Sequence, residues 1–180
     1  NPMIRNALGD SFPASPEVTL RLCREADVDQ YSNVLHLGAG VGTVCQLLIE
    51  TFGCKATGVV MIEPLLQHCV YEDERVEYMY SKMNELPLEH GTFTHVLIEC
   101  RCIAQSDLGA IFTTAKQMLA PGGQLIVNEP VLASGSSLPK IIGRMVGETR
   151  INEKIHQRTA MEIGIEITSA GFDIIGNRSE

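Results

Sequence analysis

Asn33-Val34-Leu35-His36-Leu37-Gly38-Ala39-Gly40-Val41-Gly42-Thr43 decides the fold. Three apolar residues and a histidine run straight into three glycines at alternate positions. The amphipathic run from Val44 to Phe52 follows at once. The pattern predicts a buried strand, a tight glycine turn and a helix N-terminus. Such a turn lets a ligand lie against bare backbone. Many nucleotide-binding sheets carry one, so the flanking sequence has to say which ligand this one suits.

Outward from that turn, strand and helix signals alternate. Pro16, with Ser15 as N-cap, opens a helix over Glu17–Ala26, behind a turn at Leu8–Pro13. The strand Asn33–Leu37 leads into the helix Val41–Phe52, stopped by Gly53. Ala56–Met61 is a near-continuous apolar run, as expected of a parallel strand covered on both faces. A helix over Leu65–Tyr71, a strand Val76–Tyr80, a polar loop and a strand Phe93–Ile98 come next. Leu108–Leu119 reads as a helix ended by Ala120-Pro121-Gly122-Gly123, and Gln124–Asn128 as a fifth strand. After the Ser/Gly-rich loop at Ala133–Ser137, a helical region from Leu138 to Ala170, broken near Gly147, stops at Gly171. Phe172–Ile175 reads as a sixth strand. Alternation at this spacing means an α/β fold with a mostly parallel sheet, helices on both faces and right-handed crossovers.

The 180 residues suit one domain, 1–180, with 1–30 as an N-terminal cap segment and 31–180 as the α/β core. Apolar residues make up 44% of the chain, enough for a core. The net charge of −8 argues against nucleic acid as the main partner. Arg144, Arg150, Lys154 and Arg158 read as a solvated helix face. No run reaches the about 18 apolar residues that span a bilayer, and no basic-then-apolar leader opens the chain. The six cysteines form no C-x-x-C pair and sit mostly among apolar residues. That points to a reducing compartment, the cytoplasm or another, and to no disulfide framework. Cys100-Arg101-Cys102 is too small a set to close a zinc site, and the histidines show no metal-ligand spacing.

Leu35-His36-Leu37-Gly38-Ala39-Gly40-Val41-Gly42, Leu86-Pro87-Leu88 with Gly91 and Phe93, Met118-Leu119-Ala120-Pro121-Gly122-Gly123-Gln124-Leu125, and Ser169-Ala170-Gly171-Phe172 occur in this order. Together they resemble the class I S-adenosylmethionine-dependent methyltransferase family over roughly Asn6 to Phe172. A dinucleotide-binding domain is the runner-up. Its G-x-G-x-x-G places the third glycine one residue later than Gly42. The resemblance implies a Rossmann-like sheet with a final antiparallel strand, for which no sequence remains after residue 175. The expected partner is then a protein or further segment covering an open sheet edge.

The resemblance also implies where S-adenosylmethionine would lie. His36, Gly38, Ala39, Gly40 and Gly42 form the turn. Val60 and Met61 end strand two, Lys82 and Met83 follow strand three, and Glu99 sits just past strand four. The family places acids where this chain has His36, Val60, Lys82 and Thr94. Carboxylates there accept from ribose hydroxyls and amino groups, in charge-assisted bonds about twice as strong as neutral ones. Glu63 reads as a helix-start acid rather than a substitute clamp. Glu99 and Glu129, at the ends of strands four and five, are the candidate catalytic acids. The expectation is a small-molecule methyltransferase domain with a degraded cofactor site. The alternative is a non-catalytic scaffold or subunit that acts through its surface.

Overall fold

A computed structural model describes residues 15–69, 71–83, 85–100, 107–131 and 158–176. The turn at 8–13, residues 101 and 102, the loop at 133–137, the start of the long helical region and three of its four basic residues lie outside them. The elements in chain order are α1 (Pro16–Glu25), β1 (Asn33–Leu37), α2 (Thr43–Phe52), β2 (Lys55–Val60), α3 (Glu63–Leu66) and β3 (Val76–Tyr80). Then come β4 (Phe93–Glu99), α4 (Leu108–Met118), β5 (Leu119–Asn128) and α5 (Ala160–Ser169). The strands form one sheet in the order β3-β2-β1-β4-β5, and every pairing is parallel.

The order follows from the connections. The chain steps from β1 to β2 to β3 in one direction, then returns past β1 to lay down β4 and β5 on its other side. The reversal falls between β1 and β4. In open α/β sheets the crevice at the carboxyl ends of the strands flanking such a reversal is where ligands bind. Here those ends are Leu37, running into Gly38, and Glu99.

Alternation along the strands divides the core into two apolar layers. On one face Leu35, Leu37, Val96 and Ile98 pack with Ile111, Phe112, Ala115 and Met118 of α4 and Ile163 of α5. On the other, Val34, Leu97 and Ile126 pack with Cys23 and Ala26 at α1 and with Val44 and Leu48 of α2. Both faces are covered, which is why β1, β2 and β4 read as continuous apolar runs. Burying each large aliphatic or aromatic side chain contributes roughly 1.5–3 kcal/mol.

Most expected elements are present with shifted ends. The helix expected over Leu65–Tyr71 is a single turn, Glu63–Leu66, with Glu63 and Pro64 opening it. β5 starts at Leu119, not Gln124. The Pro-Gly-Gly stretch stays in the strand as an irregularity between the pairs Phe93–Leu119 and His95–Gln124. The sixth strand is a correction: residues 172–176 are irregular. Ile174 and Ile175 are exposed, so pairing there would bury no apolar face. Phe172 instead turns back on α4, with Lys116 Nζ 4.5 Å from its ring centre.

Candidate functional site at the carboxyl edge of the sheet

The glycine turn has the backbone its sequence demands. Gly38, Gly40 and Gly42 lie at φ of 87°, 58° and 86°, the left-handed region that side chains avoid. The amides of Gly38 and Ala39 donate to the carbonyl of Val59, at 3.0 and 2.8 Å, which ties the turn to β2. The glycines differ in what surrounds them. A Cβ on Gly40 would meet nothing within 4 Å, so this glycine opens onto space. A Cβ on Gly42 would fall 2.5 Å from the Tyr78 hydroxyl oxygen, and one on Gly58 would fall 2.7 Å from the same ring. Tyr78 also donates to the carbonyl of Gly42, at 3.2 Å. It wedges the turn from behind, and burial pushes its phenol well above the usual range. The Cys69 thiol donates to the carbonyl of Gly40, at 3.6 Å. Sequence reasoning missed both supports, because they come from elements 29 and 36 residues away.

His36 is buried in β1, its Nδ1 3.9 Å from Cys45 Sγ on α2. Val60 is fully buried and presents no polar atom at the end of β2. Met83 is buried in the layer beneath α4, and Met61 packs against that layer. Lys82 is exposed and paired with Glu85, Nζ lying 3.2 Å from both carboxylate oxygens. Thr94 lies at the amino end of β4, away from the turn. It accepts from the amide of Asn33 at 2.9 Å and donates to its carbonyl at 3.2 Å.

Glu99 is fully buried at the carboxyl end of β4. Its Oε1 accepts from Thr19 Oγ1 of α1 at 2.5 Å and from Asn128 Nδ2 of β5 at 3.1 Å. Its Oε2 is buried with no hydrogen-bond partner among the described residues. Burial raises its pKa above the ordinary value, against the lowering effect of the Thr19 and Asn128 bonds. Cys100, next in the chain, adopts a left-handed φ of 49°, unusual for a residue with a Cβ. Glu129 follows the end of β5 at the same edge. The structure thus brings the glycine turn, Glu99 and Glu129 to one edge, while Lys82 is held by its own ion pair. Thr19 and Asn128 complete the environment of Glu99, and neither carried a sequence signal.

The cofactor implied by the resemblance fits this edge in part. The open Gly40 gives a bulky nucleoside the backbone approach it needs at the strand-order reversal, while Glu99, fully buried there, keeps its carboxyl for Thr19 and Asn128. The end of β2 does not fit, because a buried valine accepts nothing from a ribose diol. Elsewhere, a cavity of about 490 Å³ lined by His90, Lys116, Gln117 and the Pro121–Gly123 turn lies at the opposite, amino end of the strands. Among the described residues no three potential metal ligands gather, and no helix is long and apolar enough to cross a membrane.

A family model described as a methyltransferase domain matches residues 34–123, from β1 through the Pro-Gly-Gly stretch. The sarcosine/dimethylglycine N-methyltransferase of Halorhodospira halochloris is 23% identical over 168 residues. That match covers 88% of this chain and 60% of the relative, so the chain spans about three fifths of that relative's length. Among solved structures, a geranyl diphosphate methyltransferase in complex with S-adenosylmethionine aligns with a TM-score of 0.70 at 15% identity, covering 86% of this chain and 64% of its own. The [4+2]-cyclase SpnF aligns with a TM-score of 0.74 at 19% identity, covering 89% and 58%. At such identities these two likenesses speak for the fold alone. With the strand order, the glycine turn and the family match in agreement, the chain belongs to the class I S-adenosylmethionine-dependent methyltransferase family.

Proposed function

We propose that this chain is the cofactor-binding core of a small-molecule methyltransferase that holds S-adenosylmethionine more by backbone than by carboxylates. The observation that carries the reading is Gly40: it opens onto space beside the strand-order reversal, where β1 and β4 end. When bound, the sulfonium would supply an activated methyl group. The chain's own part is positioning, which alone can lower a barrier by several kcal/mol. The turn would seat the cofactor, and Glu99 would hold the crevice wall through Thr19 and Asn128. Glu129 is the acid left to face an acceptor. The sarcosine and dimethylglycine in that relative's name support an amine-bearing small molecule in that role. The free thiols Cys23, Cys45, Cys54 and Cys69 suit a reducing compartment.

One observation favours a second reading. Val60 is fully buried where a carboxylate would clamp the ribose. Loss of one or two charged bonds, at about 1.5–3 kcal/mol each, weakens binding roughly 10- to 100-fold or more. A chain weakened far enough is a scaffold, acting through a protein partner on the β5 side of the described sheet. Calorimetry with S-adenosylhomocysteine separates the two. A Kd tighter than about 100 μM supports the enzyme, whereas no heat at millimolar ligand leaves the scaffold. Val60→Asp is expected to tighten binding about 10-fold or more, provided that its melting curve shows it folded.

A further inference from the structure

α1 is held to the sheet by two polar rungs, and they answer to protonation in different ways. The helix runs antiparallel to β4. Near the amino end of the sheet, the carbonyl of Ala26 accepts from His95 Nε2 at 2.7 Å and from Gln124 Nε2 at 3.1 Å. At the carboxyl end, Thr19 Oγ1 donates to Glu99, which also takes the Asn128 amide. His95 pairs with Gln124 across β4 and β5, and Glu99 pairs with Asn128. Two cross-strand pairs therefore grip one helix.

We infer that α1 is a strap with a fixed end at Ala26 and a releasable end at Thr19, and that ionisation of Glu99 releases it. The fixed end rests on a backbone carbonyl and holds no carboxylate. A carbonyl accepts only from a donor, so Nε2 of His95 carries a proton in the neutral ring as it does in the charged one. Nδ1 faces Thr94 Oγ1 at 2.9 Å.

The releasable end does hold a carboxylate. Both donors to Glu99 go to Oε1, and Oε2 is sealed in without a partner among the described residues. A neutral acid tolerates that; an anion leaves charge on a dry oxygen, which is costly. β4 and β5 are locked by their ladder, so the wall that can lift to admit water is α1. Other titratable groups share this face of the sheet, among them Cys54, whose thiol burial raises to about 11. Cys23 on α1 and Cys45 on α2 are kept as thiols by burial, Cys23 at about 12. His36 on β1 lies against Cys45. Arg24 of α1 sits over the Phe52 ring, 5.9 Å from its centre. Arg21, two residues along α1 from Thr19, is partly buried. Glu129, after Asn128, is itself an acid and relieves nothing. The Thr19 and Asn128 bonds favour the anion, but burial outweighs them.

Hydrogen exchange of the unliganded chain from about pH 5 to about pH 9, corrected for intrinsic rates, tests this without any cofactor, so it stands apart from the methyltransferase reading. Protection of the α1 amides is expected to fall about tenfold per pH unit until Glu99 is ionised in the closed state, ahead of the amides of Leu35 and Val96. Glu99→Gln should abolish the slope, and Thr19→Val should lower α1 protection at every pH while leaving Leu35 and Val96 protected. The inference is overturned if Glu99→Gln keeps the slope, if Thr19→Val leaves α1 fully protected, or if α1 exchanges in step with Leu35 and Val96.

Discussion

Glu99 shows how far one side chain's chemistry depends on residues distant in sequence. As the last residue of β4 it was legible as a crevice acid from position alone. Its burial was not, because Thr19 lies 80 residues away and belongs to a different element. A second consequence follows for stability. The folded chain holds the Glu99 proton more tightly than the unfolded chain, whose value is near 4.5. Its contribution is therefore fully present below that value and is lost as pH rises to the folded one. Glu99→Gln carries no such loss. It is expected to melt above the wild type near pH 8 and to converge with it in acid. Melting curves across the pH range check both halves of that statement. Val60 and Thr94 teach the complementary lesson. Both occupy positions where the resemblance implies an acid, yet one lies in the core at the carboxyl edge and the other bridges to Asn33 at the far end of its strand.

At the level of elements, helix caps are where local signals and structure meet. Ser15 caps α1, its side chain accepting from the amide of Val18, with Pro16 in the first turn as the sequence suggests. Asp107 caps α4 by accepting from the amide of Ala110 at 3.0 Å. Asp107→Ala is expected to cost about 1 kcal/mol, read as a lower denaturation midpoint with an unchanged slope. Thr159 and Glu162 form a reciprocal capping box at α5, a Thr-x-x-Glu signal present in the sequence and readable by rule. The sixth strand failed for a reason no local pattern reveals. Phe172, Ile174 and Ile175 have the composition of a strand, but α4 takes the phenylalanine and solvent takes Ile175. β5 was read short because a Pro-Gly-Gly stretch signals a turn, whereas here it bulges between two paired rungs.

Across the whole molecule, the sheet is a partition between two apolar layers, and this was the most legible feature. Continuous apolar strands alternating with helices admit few other arrangements. Phe112 is fully buried in the layer under α4 and α5. Phe112→Ala should cost about 3–5 kcal/mol, a large share of a stability near 5–15 kcal/mol. Tyr31→Ala, at a residue 82% exposed, should stay within about 0.5 kcal/mol. Urea unfolding of the two variants side by side measures the contrast. The Tyr78 ring reaches further than its own neighbourhood, since it occupies the room that two methyl groups at positions 42 and 58 would need. Those three positions behave as a single letter of the design. A redesign that enlarges either glycine must shrink the aromatic in the same stroke, and with it goes the prop that keeps the loop ready for whatever it receives.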